Sequence, residues 1–162
     1  MKDFLLLSSI NAITYKDFFP LLKDNNVRLG YTPTSGGKDM YAPNIDPENK
    51  KVKYDENGNK LVNVEGIAWY TTLPTPDKRK LILTKTYNPQ DYPRYDNYDA
   101  INVNKVKDIP YDYDGVMGVP ITIFGYNLDN VEIVGDKTIN GKDTKINGRE
   151  KYRRVLIRRK RG

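Results

Sequence analysis

The chain has 162 residues, 38% of them apolar and 30% charged, which suits one domain, or one and part of a second, with a real core. It contains neither Cys nor His. That excludes disulfides, thiolate or HExxH zinc sites, Cys nucleophiles and every triad or dyad built on imidazole, so chemistry falls to Asp, Glu, Tyr, Lys, Asn and the backbone.

The net charge of +6 is concentrated at one end. Residues 149–162 hold eight Lys/Arg and one Glu, for +7, while the rest of the chain holds 19 basic and 20 acidic groups, for −1. A nearly neutral body with a basic end attracts a polyanion, most commonly nucleic acid; a solubilising tail fits the same charge. No apolar run approaches the roughly 18–20 residues that span a bilayer. The N-terminal run stops at Leu7 and has Asp3 beside it, so it is not read as an export signal and the expected location is cytoplasmic.

Residues 3–10, DFLLLSSI, read as a strand buried on both faces, as in the middle of a parallel sheet. Such a strand needs neighbours on both sides, which suggests a missing N-terminal half. Thr14 fits a helix N-cap, with Asp17 three residues on and Ile13 and Phe18 as a hydrophobic staple; Pro20 should kink or split that helix. NNVRLGY follows as a turn and short strand, giving an α/β pattern. Residues 32–60 are loop-like, with a hairpin turn at Asn57-Gly58. Residues 61–72 and 80–86 read as strands on a short connection, expected to pair antiparallel. Residues 87–114 hold six of the 13 Tyr and six Asp with three prolines, an ordered but irregular segment. Residues 116–124 read as a strand interrupted by Pro120. Residues 131–134 and 138–159 read as strands joined by turns at Asn140-Gly141 and Asn147-Gly148.

SGGK at 35–38 lacks the Ser/Thr and the following helix of a phosphate loop, and reads as a loop. Tyr111-Asp112-Tyr113-Asp114-Gly115 places two carboxylates two residues apart. A turn with Asp side chains capping amides is favoured there over a metal or proton-sharing pair. The tyrosines around it can stack on unpaired bases. Trp69 and Tyr70 alternate at a strand end, so one faces the core and the other faces out.

Residues 95–124, YDNYDAINVNKVKDIPYDYDGVMGVPITIF, resemble the signature stretch of adenine-specific DNA methyltransferases of the EcoRI modification-methylase family. INAITYKDFFPLLKDNNVRLGY, WYTTL and RRVLIRRK resemble that family's strand-to-helix segment, its aromatic strand and its basic close. The resemblance implies methyl transfer from S-adenosylmethionine to the adenine amino group of double-stranded DNA, in a restriction-modification system. It implies an α/β fold: the C-terminal half of a Rossmann-like class I methyltransferase sheet, parallel at its start and ending in an antiparallel hairpin, then a β-rich, Tyr-rich target-recognition region. Residues 1–86 would complete the catalytic domain and residues 87–162 would recognise DNA.

The family's Gly-rich cofactor turn and Asn-Pro-Pro-aromatic tetrapeptide are not found; Asn88-Pro89 is followed by Gln90. The chain alone is therefore expected to bind no S-adenosylmethionine and no metal, to carry no catalytic residue and to be inactive, its missing half being possibly a separate chain. By analogy, Tyr70 is assigned outward to hold an extruded base and Trp69 inward. Arg153, Arg154, Arg158, Arg159, Lys160 and Arg161 are assigned to phosphates, on a docked strand with arginines projecting at its ends. Asn97, Tyr98, Asp99, Tyr111, Asp112, Tyr113 and Asp114 are assigned to the recognition region. Two other readings stand beside this one: a nucleic-acid-binding module without catalysis, and a carboxylate enzyme using Asp112 and Asp114.

Overall fold

The structure, a computed structural model, describes residues 2–32, 36–49, 51–76, 78–134 and 144–160. It is a mixed α/β molecule, rich in short strands and poor in helix. Strand β1 spans Leu5–Ser9. The Ser9 hydroxyl accepts from the Asn11 amide and caps a 3-10 helix over Ile10–Thr14, so Ser9 takes the capping role expected of Thr14. The α-helix starts only at Phe19 and ends at Lys23. Pro20 thereby falls in its first turn, where a missing N–H costs nothing and no kink is needed. Phe19 and Leu22 are buried, and the Phe18 ring meets Tyr70 edge-on at 5.1 Å between centroids.

A turn through Asn25 leads to β2, Arg28–Leu29. The following stretch, expected to be loop and hairpin, contains three strands: β3 (Lys38–Tyr41), β4 (Val52–Tyr54) and β5 (Lys60–Val64). They form an antiparallel sheet in the order β3-β5-β4. The Asn57-Gly58 turn joins the last two as expected, with the Asp55 carboxylate accepting the Asn57 and Asn59 amides. Hydrogen bonds from Asn59 hold that carboxyl below its ordinary pKa. KDMY has no apolar alternation of its own, so only its pairing with β5 identifies it as a strand.

Gly66, at φ 68°, divides LVNVEGIAWYTT into β5 and β6, Ile67–Thr71. Strand β6 is central in a sheet ordered β1-β6-β2, antiparallel to both neighbours. The expected doubly buried parallel strand at the N-terminus is thus corrected. Among the described residues β1 pairs with β6 alone, and Leu5 and Leu6 are 61% and 50% exposed because nothing covers them. The expected hairpin of 61–72 with 80–86 is also corrected. Pro74 and Pro76 carry the chain away from β6, and the second strand shrinks to β7, Arg79–Lys80.

The Tyr-rich stretch is irregular as expected. Tyr87 sits 4.5 Å from Tyr113 and 5.8 Å from Tyr92 between ring centroids, and the Tyr92 hydroxyl donates to the Asp108 carbonyl. It leads into β8, Ile101–Asn102, then β9, Met117–Pro120. Pro120 ends that strand, and a 3-10 helix over Ile121–Gly125 follows. Next come β10 (Tyr126–Asn127), which pairs parallel with β7, and β11 (Val131–Ile133). Strands β12 (Lys145–Ile146) and β13 (Arg149–Glu150) form a hairpin, and β14 spans Arg154–Arg159. The order β11-β14-β9-β8 makes a four-stranded sheet, parallel only between β8 and β9. One core joins Phe19, Tyr70 and Leu81 with Ile101, Met117, Ile123 and Ile157; a smaller cluster holds Tyr95, Ala100, Ile146 and Leu156. The expected turn at Asn140-Gly141 lies outside the described residues.

Asn147 and Gly148 turn the last hairpin at φ 50° and 71°, the two positive values a tight antiparallel turn requires. The Asp96 carboxylate accepts both their amides, at 3.0 and 2.8 Å, and so ties the hairpin to the signature stretch. Asp96→Ala should lower stability by about 1–2 kcal/mol, the range for losing two such bonds at a surface. Urea denaturation measures it, and an unchanged midpoint would show that the tie adds nothing.

Candidate nucleic-acid interface

The aromatic pair on β6 is reversed relative to expectation. Tyr70 has no exposed surface and its hydroxyl donates to the Ser9 carbonyl at 2.9 Å. Burial pushes the Tyr70 hydroxyl pKa up. Its cross-strand partner Leu29 is likewise buried, so the core lies on that face of the sheet. Trp69 points the other way, half-buried against Gly30. Parity along a strand is local, but which parity faces inward depends on what packs there.

The basic close docks through Val155, Leu156 and Ile157, all buried. Its arginines do not project freely. Arg153 donates to the Thr14 hydroxyl, and Arg154 is buried with its Nε on Asn102 Oδ1 at 3.1 Å. Arg158 pairs with Glu132 at 2.7 Å, and Arg159 with Asp114 at 2.8 Å and with the Tyr111 carbonyl. Lys160 is exposed, and Arg161 lies outside the described residues. The polar side chains assigned to recognition are engaged in the same way. Asn97 accepts the Lys145 amide, Asp99 pairs with Arg94, and Asp112 accepts the Tyr87 amide at 2.7 Å. Tyr113 packs on Tyr87, whereas Tyr98 and Tyr111 present exposed rings. No group of three metal-ligating side chains occurs among the described residues.

A different place gathers cations that have no carboxylate partner among the described residues. A cleft of about 910 Å³ lies between the end of β2, the 75–79 segment, residues 104–107 and the 3-10 helix after β9. Lys78, Arg79, Lys105 and Lys107 line it with Tyr31, Tyr126 and Asn104, and among the described residues no carboxylate lines it. The Arg79 guanidinium sits 5.8 Å above the Tyr126 ring, which fixes its direction. Burial, reinforced by Arg28, holds the Lys78 ammonium below its ordinary pKa of 10.5. Cations gathered in a concave site concentrate positive potential, the requirement for holding a polyanion. Charge counting missed this cleft because its lysines lie in two short runs, each diluted by an adjacent Asp77 or Asp108.

The turn after β1, where the family's Gly-rich cofactor turn would be sought, is a glycine-free 3-10 helix with Ala12 and Ile13 buried. Gly30, Gly37, Gly115 and Gly118 each back onto a side chain of the chain itself, whereas Gly36, Gly58, Gly66 and Gly148 have open space beside them. No helix among the described residues is long and apolar enough to cross a membrane.

The family model for adenine-specific methyltransferase EcoRI matches residues 1–160. The chain is 42% identical to the type II methyltransferase M.EcoRI of Escherichia coli, over 99% of its own length and 51% of that relative's. It is 31% and 30% identical to the type II methyltransferases M.MgeORF184P of Mycoplasma genitalium and M.MpnI of Mycoplasma pneumoniae, covering 57% of each. The chain therefore spans about half the length of the curated relatives it matches, and it belongs to the EcoRI adenine-specific methyltransferase family. No solved structure matches it.

Lys78 provides a direct readout of the cleft. Its lowered pKa means that the cost of burying the charge is full below the folded-state value and is relieved as pH rises through that value toward 10.5. Bound phosphate favours the charged form, so duplex DNA should move the Lys78 midpoint up in an NMR titration of its side chain. A midpoint indifferent to DNA would remove Lys78 from the interface.

Proposed function

We propose that this chain supplies the DNA-engaging portion of an adenine-specific DNA methyltransferase of restriction-modification type, in which the complete enzyme moves a methyl group from S-adenosylmethionine to the adenine amino group. The observation that carries the reading is the cleft that gathers Lys78, Arg79, Lys105 and Lys107 in a chain of this family. In this reading Lys78, Arg79, Lys105 and Lys107 hold phosphates of double-stranded DNA, and the exposed Lys160 adds to them. Tyr98 and Tyr111 offer exposed rings for the recognition region. Tyr70 acts from within the core, and Trp69 is the aromatic of that pair left for a base.

The sheet supports the methyltransferase reading. Strands β1 and β2 run in the same direction on either side of β6, which is antiparallel to both. Exposed Leu5 and Leu6 on β1 fit a neighbour supplied by a further polypeptide. Cofactor binding and the reacting groups belong to that further part. A nucleic-acid-binding module without catalysis would use the same cleft.

Mixing separates the two readings. The chain alone should bind duplex DNA with a steep salt dependence and show no heat with S-adenosylmethionine in calorimetry. Methyl transfer to DNA should require a second polypeptide bearing the Gly-rich turn and the Asn-Pro-Pro-aromatic motif. Micromolar cofactor binding by the chain alone would overturn the division of labour. Failure to bind DNA at low salt would overturn the DNA-engaging role.

A further inference from the structure

Strand β7 has two residues, and adjacent side chains of an extended strand point to opposite sides. Arg79 serves the basic cleft. Lys80 serves a second hollow of about 570 Å³ on the other side of the β7–β10 ribbon. Lys160 and Arg159 line that hollow with Asn130, and among the described residues Asp129 is its single carboxylate; with Arg159 already paired to Asp114, Lys80 and Lys160 face one anion. The Lys160 amide donates to the Asn130 carbonyl at 3.1 Å, which fixes Lys160 beside the hollow. Neither Lys80 nor Lys160 has a carboxylate partner among the described residues. Arg159 is anchored by Asp114, and its buried Nε–H has no acceptor among the described residues. A buried donor left unmet costs free energy, and buried donors are ordinarily satisfied.

We propose that this second hollow holds a phosphodiester of duplex DNA through Lys80 and Lys160, independently of the basic cleft. The proposal rests on the DNA-engaging reading and adds to it a separate contact. Lys80 and Lys160 supply the net positive charge that Asp129 leaves, and their ammonium groups donate to the phosphate oxygens. The ribbon then carries cations on both sides, Arg79 toward one phosphate segment and Lys80 toward another.

The salt dependence of duplex binding by the 162-residue chain, read by fluorescence anisotropy, tests this. Each neutralised phosphate contributes about 0.9 to the log–log slope. K80S/K160S should flatten the slope by about two units, K105S/K107S by about two, and the four together by about four. K80S and K160S singly should each remove about one, which keeps the test open if the double variant folds poorly. K80R/K160R should keep the parent slope. An unchanged slope in K80S/K160S, with K105S/K107S flattened, would overturn the second contact and leave the DNA reading standing. If neither pair matters, the DNA reading fails as well. A K80S/K160S variant that loses inorganic-phosphate binding but keeps the DNA slope would make the hollow a small-anion site and would also overturn the proposal.

Discussion

The arrangement depends on one buried charge. Arg154 is 8% exposed, and its partners are Asn102 Oδ1 and the carbonyls of Tyr152 and Arg153. A guanidinium without a carboxylate is costly in a core unless its donors are met by well-placed oxygens. Asn102 meets it from β8, where the Tyr95 hydroxyl also donates to Asn102 Oδ1 at 2.8 Å. Burial pushes the Tyr95 hydroxyl pKa up to about 12, so it remains a donor across the physiological range. The Asn102 amide in turn donates to Asn104 at 2.8 Å. Asn104 lines the basic cleft beside Lys105 and Lys107. A buried polar chain thus runs from the last strand, through the middle of the signature stretch, to the cleft wall.

That chain gives the DAINV segment a physical content. In DAINVNKVK, Ala100, Ile101, Val103 and Val106 are buried, while Asn104, Lys105 and Lys107 face the cleft. Asp96 and Asn102 hold the C-terminal hairpin and strand. The signature is a frame whose buried residues place Lys105 and Lys107 at the cleft wall. The basic C-terminal residues work in the opposite sense: four of them attach the last strand to the body, and the cleft lysines present the available charge.

Features set by local chemistry were legible in the sequence. Asn57-Gly58 and Asn147-Gly148 read as tight turns because they demand positive φ, and Val155–Ile157 read as a docked strand because an apolar triplet must be covered. Pro120 ends its strand as a residue without an N–H should. Features set by distant partners were not legible. The facing of Trp69 and Tyr70 depends on Leu29 and Phe18 packing on one side of β6. The DFLLLSSI run has the composition of a central strand, yet its environment within this chain is an edge. The cleft gathers Tyr31, Lys78, Arg79, Asn104, Lys105, Lys107 and Tyr126 from four separated segments, and no window of sequence holds them together.

Lysine acylation footprinting by mass spectrometry, with and without duplex DNA, tests the central claim most directly: that a rigid frame presents the cleft cations to DNA. The account predicts that DNA slows acylation of Lys78, Lys105 and Lys107 and leaves Lys16, Lys23 and Lys53 as reactive as before. Cleft lysines that react equally in both states, with protection elsewhere on the surface, would contradict it.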